Sequence, residues 1–227
     1  MPDNDLAVVV GAGPGLGRAV AMAFASRGLR VVLLARNAGR VAALAHEIAA
    51  QTRTKVDSIP ADAADEPALR NAFQVIRRRH GDPAVLVHNP SVAVEAPPTL
   101  TPLESMIDGL RLAAGSLLVA AQEVAPAMRS AHRGTIIVTG NSAALTGSTW
   151  SATLGVQKAA ARNLAMSLAS ELRTDGVHVV TVTIDGVLGT PGFDVDRIAA
   201  EYVRLHEVTD GPRTSWRPEI VWRGSPA

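Results

Sequence analysis

Residues 8–18, Val-Val-Val-Gly-Ala-Gly-Pro-Gly-Leu-Gly-Arg, join an apolar run to an alanine-rich stretch through a loop of alternating glycines. Glycine has no Cβ, so such a loop can turn tightly and bring its backbone against a phosphate. The first N–H groups of the following helix lack intrahelical partners and lie at the positive end of its dipole, where a pyrophosphate fits. The spacings Gly11-x-Gly13-x-x-x-Gly17 and Gly11-x-x-x-Gly15-x-Gly17 are near the dinucleotide fingerprint without its usual form. Strand, loop and helix follow in the required order, so the loop reads as a phosphate cradle rather than a plain tight turn. The next apolar run closes Leu34-Ala35-Arg36-Asn37, with no carboxylate for the ribose 2′-hydroxyl of NAD and a guanidinium instead. An arginine can grip a 2′-phosphate through two parallel charge-assisted bonds, and Arg40 lies one turn further on. NADP(H) is therefore favoured over NAD(H).

A loop of this kind needs a sheet beneath it, and the chain alternates accordingly. Apolar runs at 6–10, 29–35, 56–60, 84–87, 135–138, 177–184 and 219–222 read as strands. Helical spacing fills 16–26, 38–51, 66–80, 102–129, 151–174 and 194–207 between them. Strands that are apolar throughout are buried on both faces. The expected fold is α/β: a single doubly wound Rossmann-type domain over residues 1–227, a parallel seven-stranded sheet with helices on both faces and ligands at the carboxyl ends of the strands. Hydrophobic residues make up 47% of the chain and aromatics only 3%, so the core must be built from Ala, Val and Leu.

Other function classes recede. The net charge is +1, and the one basic cluster, Arg77-Arg78-Arg79, reads as the solvated end of a helix, so no nucleic-acid partner is expected. There is no cysteine, and the histidines show no metal-ligand spacing, so no metal is expected. The polar, acidic residues 1–5 are unlike a signal peptide, no apolar run is long enough to cross a bilayer, and the expected compartment is the cytoplasm.

Over nearly its whole length the chain resembles the short-chain dehydrogenase/reductase family. Gly11-x-x-x-Gly15-x-Gly17, with Pro14 and Leu16 inside it, has the spacing of that family's cofactor loop, and Arg36 sits where NADP-preferring members carry a basic residue. Asp62-Ala63 matches the family's adenine-binding aspartate. His88-Asn89-Pro90-Ser91 stands in place of Asn-Asn-Ala-Gly, with Asn89 kept. Asp185-Gly186-Val187-Leu188-Gly189-Thr190 resembles the family's Pro-Gly-x-x-x-Thr turn. That resemblance implies that the Leu188 backbone holds the nicotinamide carboxamide and the Thr190 hydroxyl a phosphate, beside Gly186. It also implies a homodimer or homotetramer formed through the small-residue helices around Ala113 and Ala159.

The catalytic positions depart from the family, whose Tyr-x-x-x-Lys pair, upstream Ser and central-helix Asn transfer a proton at a carbonyl oxygen. Here Leu154-Gly155-Val156-Gln157-Lys158 keeps the lysine, as a contact to the cofactor ribose, and puts leucine at the tyrosine. The Ser position falls on Asn141, with Ser142 beside it, and the Asn position on Leu112. Asp185 is the candidate replacement acid: it either pairs with Lys158, donates a proton if buried, or simply caps a turn. His88 borders the same sheet edge, as a phosphate or ribose ligand or as a structural histidine. Tyr202, the only tyrosine, has the spacing of a packing residue. Trp216 and Trp222 mark the tail either as an interface or as a last strand folded back.

Two functions follow. One is an NADPH-dependent oxidoreductase acting on a small carbonyl or alcohol. The other is a non-catalytic NADP(H)-binding sensor or assembly partner. Convergence of Asn141, Ser142 and Asp185 on the cofactor pocket would favour the first, and closure by Leu112 and Leu154 the second.

Overall fold

The computed structural model describes residues 5–224, so residues 1–4 of the polar N-terminal stretch lie outside the described residues. Seven strands form one sheet: β1 (Leu6–Val10), β2 (Arg30–Ala35), β3 (Val56–Pro60), β4 (Val85–His88), β5 (Gly134–Asn141), β6 (Val177–Ile184) and β7 (Glu219–Trp222). Their order is β3-β2-β1-β4-β5-β6-β7, and every pair is parallel. All residues of β1 and β6 are buried because helices cover both faces. Within β1, Leu6, Val8 and Val10 enter one core while Ala7 and Val9 enter the other. The strand order reverses between β1 and β4, which opens a crevice at their carboxyl ends.

Helices α1 (Leu16–Ser26), α2 (Ala38–Thr52) and α7 (Val195–Glu207) pack on one face, as Phe24, Ile48 and Tyr202 in that core record. On the other lie α3 (Glu66–His80), α5 (Ser116–Ala131) and α6 (Ala152–Leu172), with α4 (Leu103–Leu110) against α6. No helix among the described residues is long and apolar enough to cross a membrane.

The sheet and helices follow the sequence reading with two larger differences. The helix expected over 102–129 is α4 and α5 joined by a π-helical turn, Arg111–Gly115. There the Ser116 hydroxyl bonds the Leu112 carbonyl and lies 2.7 Å from Nε2 of buried His88. Strand β5 runs beyond residue 138 to Asn141, because its ladder with β6 continues to Ile184. The tail folds back as β7 rather than presenting an aromatic surface. Trp216 is buried and stacked on His178, with ring centroids 5.1 Å apart, and Trp222 Nε1 donates to the Gly192 carbonyl at 3.0 Å. Arg162 of α6 grips both Glu219 oxygens, at 2.8 and 2.5 Å, and ties β7 down.

Trp216 is thus a tie for the last strand. Replacing it with alanine should lower the unfolding free energy by about 3 kcal/mol, because a buried aromatic leaves a cavity that the backbone fills poorly. Urea denaturation of W216A against the native chain measures this.

Candidate active site

Side chains cap four of the helices: Asn37 on α2, Asp65 on α3, Ser151 on α6 and Asp194 on α7. Helix α1 has none. Gly15 precedes it without a side-chain cap, and its first turn holds no acidic residue. The orphan N–H groups and positive dipole end of α1 are left for a ligand to satisfy. They border a cavity of about 510 Å³ walled by the segments that follow β1 to β6.

The loop that leads into α1 is shaped by close approach. Gly11 has φ +80°, and a Cβ there would lie 2.7 Å from the Pro90 nitrogen. Asn89 Nδ2 donates to the Gly11 carbonyl at 2.9 Å and locks the two loops together. At Gly17 a Cβ would sit 3.0 Å from the Gly11 carbonyl, so this glycine lets α1 pass close over the loop. Beside Gly13 and Gly15 a Cβ would meet nothing within 4 Å. That open space, next to an uncapped helix end, fits a pyrophosphate. Gly11, Gly13 and Leu16 line the cavity, whereas Pro14, Gly15 and Gly17 shape the turn from outside the wall.

At the β2–β3 end the wall holds Arg36, Asp62 and Ala63. The Arg36 and Arg40 side chains are exposed and make no hydrogen bond or ion pair among the described residues, which leaves both guanidiniums for a phosphate. Asp62 Oδ1 accepts from the Ala64 N–H at 2.9 Å, which fixes the carboxylate at the rim with its other oxygen open. The residues present fit a nicotinamide dinucleotide.

The opposite end is built around Lys158. Its side chain is buried, and Nζ donates to the Thr139 carbonyl at 2.9 Å and the Pro90 carbonyl at 3.2 Å. Burial pushes this ammonium down to about 8. Leu154, one turn earlier on α6, lines the cavity together with Leu112 of the π turn. Asn141 also lines it, with Oδ1 held by the Ala143 N–H at 2.8 Å. Gly186 and Leu188 close the wall after β6.

Several expected contacts do not form. Asp185 neither pairs with Lys158 nor lines the cavity. Its N–H donates to the Trp222 carbonyl at 2.9 Å, which extends the β6–β7 ladder and turns the carboxylate outward, 3.8 Å from Arg223 Nε. A proline there could not make that bond. Ser142 opens the turn after β5 and does not reach the cavity wall. The Thr190 hydroxyl donates to the Val187 carbonyl at 2.7 Å within its own turn, outside the wall. His88 lies behind the wall as a structural residue; burial, and secondarily the Lys158 charge, pushes its imidazole down to about 3. Tyr202 is fully buried with its hydroxyl 2.8 Å from Thr139 Oγ1, a packing role.

The sequence reading passed over Gln157, whose spacing carried no signal. Its buried amide bonds both the N–H and the carbonyl of Val92, while Thr153 Oγ1 accepts from the Val94 N–H at 3.1 Å. Helix α6 thereby holds the loop after β4, which supplies Pro90, Ser91 and Ala93 to the cavity.

Known proteins share this fold. A family model described as short chain dehydrogenase matches residues 5–196. A very-long-chain 3-oxoacyl-CoA reductase of Aspergillus clavatus is 33% identical over 188 residues, covering 80% of this chain and 53% of that protein. The chain therefore spans about half the length of the curated relatives it matches. Among solved structures, a short-chain dehydrogenase from Rhodopseudomonas palustris superposes with TM-score 0.86 at 25% identity, over 99% of this chain and 100% of that one. A metagenomic short-chain oxidoreductase in complex with NADP gives TM-score 0.86 at 28% identity, over 98% of each chain.

The Gln157 clamp yields a direct expectation. Gln157→Ala should speed amide hydrogen exchange at Val92 by about tenfold or more, since local opening then loses a hydrogen bond, with a smaller change at Val94. Exchange followed residue by residue by NMR tests it.

Proposed function

Because the chain belongs to the short chain dehydrogenase family, we propose that it is an NADP(H)-dependent oxidoreductase that moves hydride between the nicotinamide and a small, fairly apolar carbonyl or alcohol. The observation that carries this reading is the uncapped N-terminus of α1 beside open glycines, with an unpaired Arg36 where a 2′-phosphate would lie. Bound nicotinamide supplies the hydride chemistry. The chain's own residues bind the phosphates, orient the ring end through the Leu188 turn, and wall the reacting region with Leu112, Leu154 and Ala93, with Lys158 at its edge. That apolar wall suits a carbonyl on a hydrocarbon chain, and the relatives' names make 3-oxoacyl thioesters the first substrates to try. Exposed Leu103, Leu118 and Val156 on α4, α5 and α6 support a homo-oligomer formed through these helices.

A second reading keeps the same cradle without turnover, as a sensor or assembly partner. It draws on Leu112 and Leu154, which line the cavity as this reading expects, and on the failure of Ser142 and Asp185 to reach it, although Asn141 does.

Two measurements follow. NADPH should bind more tightly than NADH, and Arg36→Ala should weaken NADPH roughly 10- to 100-fold, the worth of a charge-assisted phosphate bond, while leaving NADH nearly unchanged. Calorimetric titration of both nucleotides reads this. NADPH oxidation with ketones and 3-oxoacyl thioesters should show slow turnover that Leu154→Tyr raises by about tenfold, the gain from a better-placed acid rather than from a first one. Tight NADPH binding with no turnover in either protein would favour the sensor.

A further inference from the structure

We infer that Lys158 itself is the general acid of this site: its ammonium, not a tyrosine hydroxyl, delivers the proton to the substrate oxygen. The inference rests on the oxidoreductase reading and assigns the step that the leucine at 154 leaves open.

Three titratable side chains line the cavity among the described residues: Arg36, Asp62 and Lys158. The first two follow β2 and β3, on the far side of β1 from the reacting end. Lys158 stands at the β4–β5 end, held between the Pro90 carbonyl after β4 and the Thr139 carbonyl of β5. His88 is sealed behind the wall, and Asp185 faces Arg223 and solvent. The hydroxyl and amide groups that remain, those of Asn89, Ser91, Thr139 and Asn141, do not release a proton near neutrality. A lysine ammonium has three N–H donors, and two are committed to carbonyls. The third is available at the cavity wall.

The two carbonyls hold the nitrogen in place whether or not it is charged, since a neutral amine still donates two hydrogen bonds. Burial brings its titration within reach of neutral pH, as a general acid requires. In the reducing direction the nicotinamide, when bound, would supply hydride for the new C–H bond, and the carbonyl π electrons would pass to oxygen. That oxygen takes a proton from Lys158 Nζ, directly or through one water, leaving a neutral amine that recovers its proton from solvent. The products are the alcohol and NADP⁺.

The chain is well suited to a test because it has only two lysines, Lys55 and Lys158. Lysine labelled with ¹³C at Cε gives two resonances, assigned with Lys55→Arg. In the NADPH complex the Lys158 resonance should titrate below the ordinary lysine range, and kcat at saturating NADPH should fall about tenfold per pH unit above the same midpoint. Lys158→Arg keeps the charge but cannot titrate, so it should bind NADPH while losing roughly 100-fold or more in kcat, together with the alkaline limb. Turnover with a flat profile to pH 10, a Lys158 resonance that stays charged throughout, or an arginine variant within threefold of the native rate would each overturn this assignment and leave the oxidoreductase reading standing. An absence of turnover at every pH would overturn both.

Discussion

A helix end with unpaired N–H groups is a cost that folded chains ordinarily cover with a side chain, as α2, α3, α6 and α7 do here. Helix α1 leaves its end uncovered over the crevice, and the neighbouring elements keep it so. Gly11 adopts φ +80° against the Pro90 backbone, Asn89 fastens that contact, and Gly17 lets the helix lie close above it. None of these contacts adds apolar burial at the cavity. They suit the anion that the proposed function places there, with Arg36 making no hydrogen bond or ion pair among the described residues.

The other end of the cavity is organised by a buried cation. Removing an ammonium from water is unfavourable unless it is hydrogen-bonded, and Lys158 meets that condition with two backbone carbonyls from different strand ends. The surroundings fix those carbonyls. Thr139 is held through its hydroxyl by Tyr202 of α7, and the loop carrying Pro90 is clamped by Gln157 and Thr153 of α6. On the far side the π turn presents Leu112 to the cavity, with Ser116 and His88 bonded behind it. Lys158 therefore sits in a wall that is rigid, largely apolar and partly closed by leucines.

Much of this was legible in the sequence, and for a common reason. Strands buried on both faces must be apolar throughout, so β1, β2 and β6 stand out from local composition, and the alternation with helices gives the parallel sheet. The glycines of the cradle and the arginine after β2 are likewise local signals. What local pattern could not supply was side-chain direction set by distant partners. Asp185 turns outward because its N–H donates to Trp222 of β7, 37 residues later. Thr190 closes on its own turn. The Gln157 clamp joins residues 65 apart in the chain. The π turn interrupts a segment whose apolar spacing fits an unbroken helix equally well.

The central claim is that this cradle presents a working hydride to a carbonyl although the usual phenol is absent. Its most direct test is isotopic. The protein is incubated with a 3-oxoacyl thioester and NADPH deuterated at the transferable C4 position, and the recovered alcohol is weighed by mass spectrometry. The account predicts one deuterium on the carbinol carbon, retained when the reaction is run in ordinary water. Saturating NADPH binding with no deuterated alcohol from any thioester or ketone would contradict it and leave a dinucleotide-binding protein that does not turn over.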